Sequence, residues 1–182
     1  MRIATAGKGN LGGGLADLWE RAGHEVTRMG RDGGDVSNAE VVLMAMPGGA
    51  IAEAITNLEG IDGKMVIDAT NLYGVVPPAG FPSNAEFVKS KTNGPTAKSF
   101  NVNFAMLLPR LAEARARPCN LWCGDAETRE VVEQLNRDAG YDPVYMGPIE
   151  NAALQEGMVK VVFAISGSMG PLVYRMAPIE QL

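Results

Sequence analysis

Apolar residues switch period repeatedly along this chain, and the order of the switches predicts the fold. A short run, Ile3, Ala4 and Ala6, predicts a first strand. Leu15, Leu18, Trp19 and Ala22 then recur at i, i+3, i+4 and i+7, predicting a helix that Gly23 ends. Residues 24–29 read as a second strand and 41–46 as a third. Ile51, Ala54, Ile55 and Leu58 return to helical spacing, and residues 64–71 form a fourth strand with polar groups at its C-terminal end. Residues 72–82 are too rich in glycine and proline for a regular element. Ser83 and Glu86 have the spacing of a capping box and start a short helix.

The second half continues the pattern. A fifth strand spans 96–100, and a helical stretch spans about 104–116, kinked or opened by Pro109. Residues 120–123 form a sixth strand. Asp125 then caps a helix with Val131, Val132 and Leu135 inward, which Gly140 stops. Residues 143–146 give a last strand. From Glu150 the chain is helical and apolar, with Met158, Val161, Val162 and Ile165 in period until Gly167, Gly170 and Pro171. Strand–helix alternation predicts an α/β fold with a doubly wound parallel sheet. Without an internal repeat or linker, 1–182 reads as one domain, a core to about 148 and a short C-terminal helical tail over 149–182. One connection is anomalous. Residues 30–40 hold three glycines and no apolar period, leaving room for a loop or one helical turn where a parallel crossover normally carries a helix.

Composition narrows the function class. A hydrophobic fraction of 46% and a charged fraction of 20% are ordinary for a globular domain. The net charge of −5 comes without a basic stripe, so no nucleic-acid partner is expected. The N-terminus lacks the apolar core of a secretory signal, and residues 159–165 are too short to span a membrane; a cytoplasmic protein with no membrane partner is expected. On one strand, Cys119 and Cys123 would stand ~13 Å apart at ~3.3 Å per residue, beyond disulfide reach. They read as free thiols. The lone histidine, His24, reads as a surface or turn residue, and no metal site is expected.

The densest chemical signal is Gly7-Lys8-Gly9-Asn10-Leu11-Gly12, between the first strand and the first helix. Gly7 makes the turn, Gly9 lets backbone approach a pyrophosphate, and Gly12 lets the helix pack close to the strand. The anion would rest on unpaired N–H groups at the helix start. The second strand ends Thr27-Arg28-Met29-Gly30-Arg31-Asp32. Arg31 stands about 19 residues past Gly12, where an arginine accommodates the 2′-phosphate of NADP and a carboxylate bonds the ribose of NAD. A guanidinium offers parallel donors to that phosphate, and Arg28 is placed to assist. Asp32 facing the ribose would select NAD instead.

Several segments together resemble one family: GKGNLGGGLA, GHEV, VIDATN, PSNAEF, KSFNVNFA, CGDAETREVVEQLNRDAGY and MGPIENA, in this order. The chain resembles the NADP-dependent oxidoreductases of the coenzyme F-420:NADP oxidoreductase type, a family that also includes the N-terminal domain of the six-transmembrane metalloreductases. The resemblance runs from Met1 to about Tyr174. It implies a Rossmann domain that binds NADP(H) and passes hydride to a flavin or deazaflavin (coenzyme F-420-like) co-substrate. It places Gly7, Gly9, Asn10, Leu11 and Gly12 at the pyrophosphate, with Lys8 in the same turn, and Gly30 and Arg31 at the 2′-phosphate. Ala45, Met46 and Pro47 match the segment along the cofactor, and Asn71 and Asn101 match positions near the nicotinamide. The chain departs from relatives at Gly30, where serine is usual, and in its short crossover. It departs also at Gly48, where a bulky residue is usual and whose absence would open the acceptor side.

Near the predicted strand ends stand Met46, Pro47, Thr70, Asn71, Asn101 and Asn103, with no cysteine–histidine or serine–histidine pair. Asp68 reads as a buried, hydrogen-bonded structural acid. No catalytic residue is assigned, because hydride transfer between rings needs positioning and exclusion of water rather than an obligatory general acid. Asn71 and Asn101 are expected to orient the carboxamide or the acceptor ring, and Tyr73 or Phe104 to pack on a small-molecule acceptor. The apolar tail suggests a homodimer. Two other readings stay open: an NADPH-binding redox sensor without catalysis, and a dehydrogenase for a small imine or hydroxy acid.

Overall fold

Alternation within each strand sorts the apolar residues onto two faces of one sheet. The computed structural model describes residues 1–181; Leu182, the last residue of the expected tail, lies outside them. In chain order the elements are β1 (Arg2–Ala6), α1 (Asn10–Arg21), β2 (Glu25–Met29), β3 (Gly34–Asp35), β4 (Val41–Met44), α2 (Ile51–Thr56), β5 (Leu58–Glu59), β6 (Met65–Asp68), α3 (Asn84–Thr92), β7 (Thr96–Ser99), β8 (Cys119–Gly124), α4 (Arg129–Asp138), β9 (Asp142–Tyr145) and α5 (Ala152–Met169). Seven strands form one sheet in the order β2-β1-β4-β6-β7-β8-β9. Ile3, Val41, Leu43, Ile67 and Trp122 pack with Leu15 and Trp19 of α1 and Val132 and Leu135 of α4. Ala4, Val42, Met44 and Val66 pack with Ile51 and Ile55 of α2 and Phe87 and Val88 of α3. Trp19 Nε1 donates to the Leu135 carbonyl at 2.9 Å, locking α1 to α4. Val159 and Val162 of α5 pack with Val102 and with Leu121 of β8.

The sheet is the expected doubly wound, mostly parallel one, with one antiparallel pair. β7 and β8 are antiparallel, with Ala97 opposite Gly124 and Ser99 opposite Trp122, while β8 and β9 run parallel to each other. The connection between them differs from the expected one as well. Residues Ala105–Glu113 form a 3₁₀ helix rather than the expected α-helix. Pro109 has no N–H for an i−4 carbonyl, and i→i+3 turns take over. Leu108 and Leu111 are buried, and Leu108 packs onto α1 at Gly14. The chain thus returns to the end of the sheet it left.

Smaller differences have local reasons. Leu58 leaves the helical period and pairs in β5 with Gly34 of β3, so the short crossover is held by a two-stranded ribbon. Ser83 caps α3 as expected, accepting from the Glu86 N–H at 3.2 Å and donating to its Oε2 at 2.9 Å. Asp125 does not cap with its side chain: its Oδ2 accepts from the Thr96 N–H at 2.9 Å, it pairs with Lys89, and a 3₁₀ turn over Ala126–Thr128 precedes α4. His24 is a largely buried joint, not a surface residue, with Nε2 2.8 Å from Asp138 Oδ2 and Nδ1 3.2 Å from the N-terminal amine. Cys119 and Cys123 both stand on β8, buried and unbridged. Among the described residues no helix is long and apolar enough to cross a membrane.

Candidate functional site

The loops leaving β2, β1, β4, β6 and β7 emerge side by side at one end of the sheet, the end at which open parallel sheets bind ligands. The glycine turn sits in the middle of this strip. Gly7 takes φ +110° and donates its N–H to the Met29 carbonyl at 3.0 Å; a Cβ there would stand 2.1 Å from the Ala45 carbonyl oxygen. A Cβ on Gly12 would stand 1.9 Å from the Gly7 carbonyl oxygen. Gly7 is therefore demanded by the close approach of the loop after β4, and Gly12 by the close approach of α1 to the turn after β1. Gly9 differs: nothing lies within 4 Å of where its Cβ would be, so its open face is free for a ligand to approach. It precedes α1 without a side-chain cap, leaving the first N–H groups of the helix for an anion.

A cleft of about 470 Å³ opens beside this turn. Of the expected cofactor residues, Gly7, Lys8, Gly9, Gly30, Arg31, Ala45, Met46 and Pro47 line it, joined by Glu53, Ala54 and Leu58 from α2 and β5. Asn10, Leu11 and Gly12 form the first turn of α1 beside it. Arg31 holds its guanidinium in solvent, with Nη2 3.8 Å from Glu53 Oε2. Asp32 is exposed and does not line the cleft. Arg28, expected to assist, does not: it binds Glu20 Oε2 at 2.9 Å and Asp17 Oδ1 at 2.6 Å on α1. Its guanidinium holds the Glu20 carboxyl below the usual range.

Further along the strip, Asn71 and Asn101 lie apart from the cleft and bond each other. Asn71 Nδ2 donates to the Asn101 carbonyl at 2.7 Å, and Asn101 Nδ2 donates to Asn71 Oδ1 at 3.0 Å. Gln155 Nε2 of α5 donates to Asn101 Oδ1 at 2.8 Å. The pair thus braces two site loops against α5. Phe100, just before Asn101, takes φ +64° with its ring buried edge-on to Trp19 at 5.7 Å, a left-handed turn that few non-glycine residues adopt. Gly48 does not open space for an acceptor. A Cβ there would stand 2.4 Å from the Asn71 carbonyl oxygen, and Asn84 Nδ2 donates to the Gly48 carbonyl at 3.0 Å.

Two groups escaped the sequence reading. Asp68 is buried as expected, but its partner is Lys98, directly opposite on β7. Lys98 Nζ lies 2.8 Å from Asp68 Oδ2 and 2.9 Å from Glu156 Oε1 of α5, and it donates to the Thr70 carbonyl at 2.9 Å. Burial works against the Lys98 charge, but the two carboxylates outweigh it and hold the ammonium above its ordinary pKa. Burial pushes Glu156 up, against the pull of Lys98. The second group is aromatic. Phe163 of α5 packs against Tyr73 at 5.5 Å and Phe104 at 5.1 Å between ring centroids. Tyr73 and Phe163 stay 58% and 47% exposed, so this cluster presents ring surface to solvent. Phe163 lies outside the tail's strongest apolar period, and only the packing reveals it.

A mostly parallel α/β sheet whose first strand feeds a glycine turn and a helix, with a cleft at the strand ends, is a Rossmann-type fold. Solved structures share it. Over 98% of this chain and all of the other, the fold matches a protein from Arthrobacter sp. FB24 provisionally named an F420-dependent NADP reductase, with a TM-score of 0.78 and 22% identity. A reductive aminase from Aspergillus terreus, solved with NADPH and ethyl-5-oxohexanoate, matches with a TM-score of 0.66 and 15% identity, over 92% of this chain and 62% of the enzyme. The 3-hydroxyisobutyrate dehydrogenase of Mycobacterium tuberculosis matches with a TM-score of 0.61 and 16% identity, over 93% of this chain and 66% of the enzyme. No protein-family model and no curated protein matches the chain.

Proposed function

We propose that this chain is a cytoplasmic NADP(H)-dependent oxidoreductase that transfers hydride between NADPH and a flavin or a deazaflavin such as coenzyme F-420. It works as one nucleotide-binding unit, with a core to about residue 148 and a helical tail beyond. The observation that carries the reading is the cleft: an open glycine face at Gly9 continuous with a mouth that holds Lys8 and Arg31, while Asp32 stands outside. The fold of the Arthrobacter protein, matched over its whole length, supports the redox class.

When bound, the nicotinamide supplies the hydride. In this reading the chain's own residues position and shield. Arg31 holds the 2′-phosphate, the turn from Gly7 to Gly12 receives the pyrophosphate, and Ala45, Met46 and Pro47 wall the cofactor. The Asn71–Asn101 brace fixes the two loops at the reacting end, and Tyr73, Phe104 and Phe163 offer apolar ring surface to a planar acceptor. Exposed Val161, Ile165 and Met169 on α5 support a homodimer through the tail, and a monomer in light scattering removes that part.

The test is an acceptor panel of FMN, FAD, a deazaflavin and ferric chelates at fixed NADPH, followed at 340 nm, with Arg31→Ala as control. Steady oxidation that weakens about 10-fold or more in apparent NADPH affinity in the variant supports the assignment. Equal NAD and NADP binding, unchanged in ratio by Arg31→Ala, overturns the NADP reading. Tight NADPH binding without turnover on any acceptor favours the sensor.

A further inference from the structure

Resting on the nucleotide reading, we propose that Lys8 and Glu53 together set the preference for a 2′-phosphorylated cofactor, Lys8 as a second phosphate cation and Glu53 as a built-in competitor. Lys8 belongs by sequence to the pyrophosphate turn, but its side chain runs the other way. Its Cε and Nζ lie 3.5 and 3.7 Å from the point where a Cβ on Gly30 would stand, so the ammonium hangs over the end of β2. Among the described residues Lys8 makes no ion pair, and Arg31 makes one, the 3.8 Å contact to Glu53. All three residues line the same cleft.

The charge arithmetic follows. A 2′-phosphate brings about two negative charges where a ribose hydroxyl brings none. Arg31 offers a fork of donors and Lys8 a point charge to that dianion. Glu53 opposes it twice: its carboxylate repels the phosphate, and it holds the guanidinium that must turn to meet it. Toward a plain ribose the same carboxylate acts as an acceptor for the 2′-OH. Lys8 therefore favours NADPH, and Glu53 shifts the balance toward NADH.

Titrating NADPH, NADH and 2′-AMP separately into wild type, Lys8→Met and Glu53→Gln tests this, with a thermal melt confirming that each variant is folded. Lys8→Met should weaken NADPH and 2′-AMP on the order of 10-fold and NADH less than about twofold. Glu53→Gln should tighten NADPH severalfold and weaken NADH. Equal losses of NADPH and NADH in Lys8→Met would put the lysine on the pyrophosphate and overturn the proposal. Unchanged or weaker NADPH binding in Glu53→Gln overturns it as well. Wild type that binds neither nucleotide defeats the underlying nucleotide reading, an outcome distinct from either.

Discussion

Replacing Lys98 by methionine keeps most of the side-chain volume and removes its charge, leaving Asp68 and Glu156 without the ammonium that lay 2.8 and 2.9 Å from them. Asp68 and Lys98 are fully buried, and the Glu156 side chain is 10% exposed, so water cannot replace the lost partner. Breaking a buried ion pair from one side costs about 3–5 kcal/mol. The Thr70 carbonyl also loses a donor, worth about 1 kcal/mol more. Against a native stability of about 5–15 kcal/mol, that is a large share. For a chain of this size it lowers Tm by about 8–24 °C. Urea unfolding followed by tryptophan fluorescence should show the midpoint falling at unchanged slope. The pH dependence sharpens the test. Burial already pushes Glu156 up beside the ammonium, and removing that ammonium raises it further. A carboxyl raised in the folded state gives stability below its unfolded pKa, about 4.3, and loses it as pH rises through the folded value. The deficit of Lys98→Met should therefore be full at pH 8 and shrink toward pH 4.5. In wild type the raised Lys98 contributes below about 10.4 and fails as pH climbs through its folded pKa, so the two proteins also converge in strong alkali. A loss under about 1 kcal/mol at pH 8, or a deficit that grows on acidification, refutes the reasoning.

Three further outcomes can be checked independently. Gly9→Ala should melt like wild type and bind NADPH at least about 10-fold more weakly, whereas Gly12→Ala should lose about 1–3 kcal/mol because its Cβ meets the Gly7 carbonyl oxygen at 1.9 Å; equal melting losses in both would contradict the geometry. Burial pushes the Cys123 thiol up to about 12, so at pH 8 a disulfide reagent should label it only as fast as the protein opens; its contribution to stability holds below the unfolded pKa of about 8.5 and fades as pH climbs toward that value of 12, and immediate labelling of native protein would show the thiol is not shielded. Phe163→Ala should raise the KM of a planar acceptor severalfold with NADPH affinity held within about twofold; an unchanged acceptor KM removes the ring cluster from the acceptor site.

Strand faces were legible in the sequence because burial has a period. Ile3, Leu43 and Ile67 fall on one face, and Ala4, Val42 and Val66 on the other, by simple alternation. Strand direction was not, because it depends on where a connection ends. Residues 104–116 carry a helical pattern, yet Ala105–Glu113 form a 3₁₀ helix around Pro109, and the connection finishes at the end of the sheet where it began, so β8 runs antiparallel to β7. Ser83 and Asp125 make the same point about capping. Both precede helices with suitable side chains, but Asp125 is claimed by the Thr96 N–H and Lys89 from elsewhere in the fold, and a tertiary partner outweighs the local one.

The site divides along the same line. The half proposed for the nucleotide is built from contiguous residues: Gly7 to Gly12 form one turn, and Gly30 and Arg31 follow one strand, so spacing alone predicts their placement in or beside one cleft. Even here a side chain's direction escapes: Arg28 turns to the acids of α1, and Lys8 leans over Gly30. The opposite half is assembled by topology. Asp68 and Lys98 meet only through the β6–β7 register, and α5 then supplies Glu156 to the charge cluster, Gln155 to Asn101 and Phe163 to the rings. One helix thus grips the buried charges, the asparagine brace and the aromatic surface together. A change in α5 should be felt at all three, and this coupling makes the tail part of the proposed acceptor side rather than an appendage to the sheet.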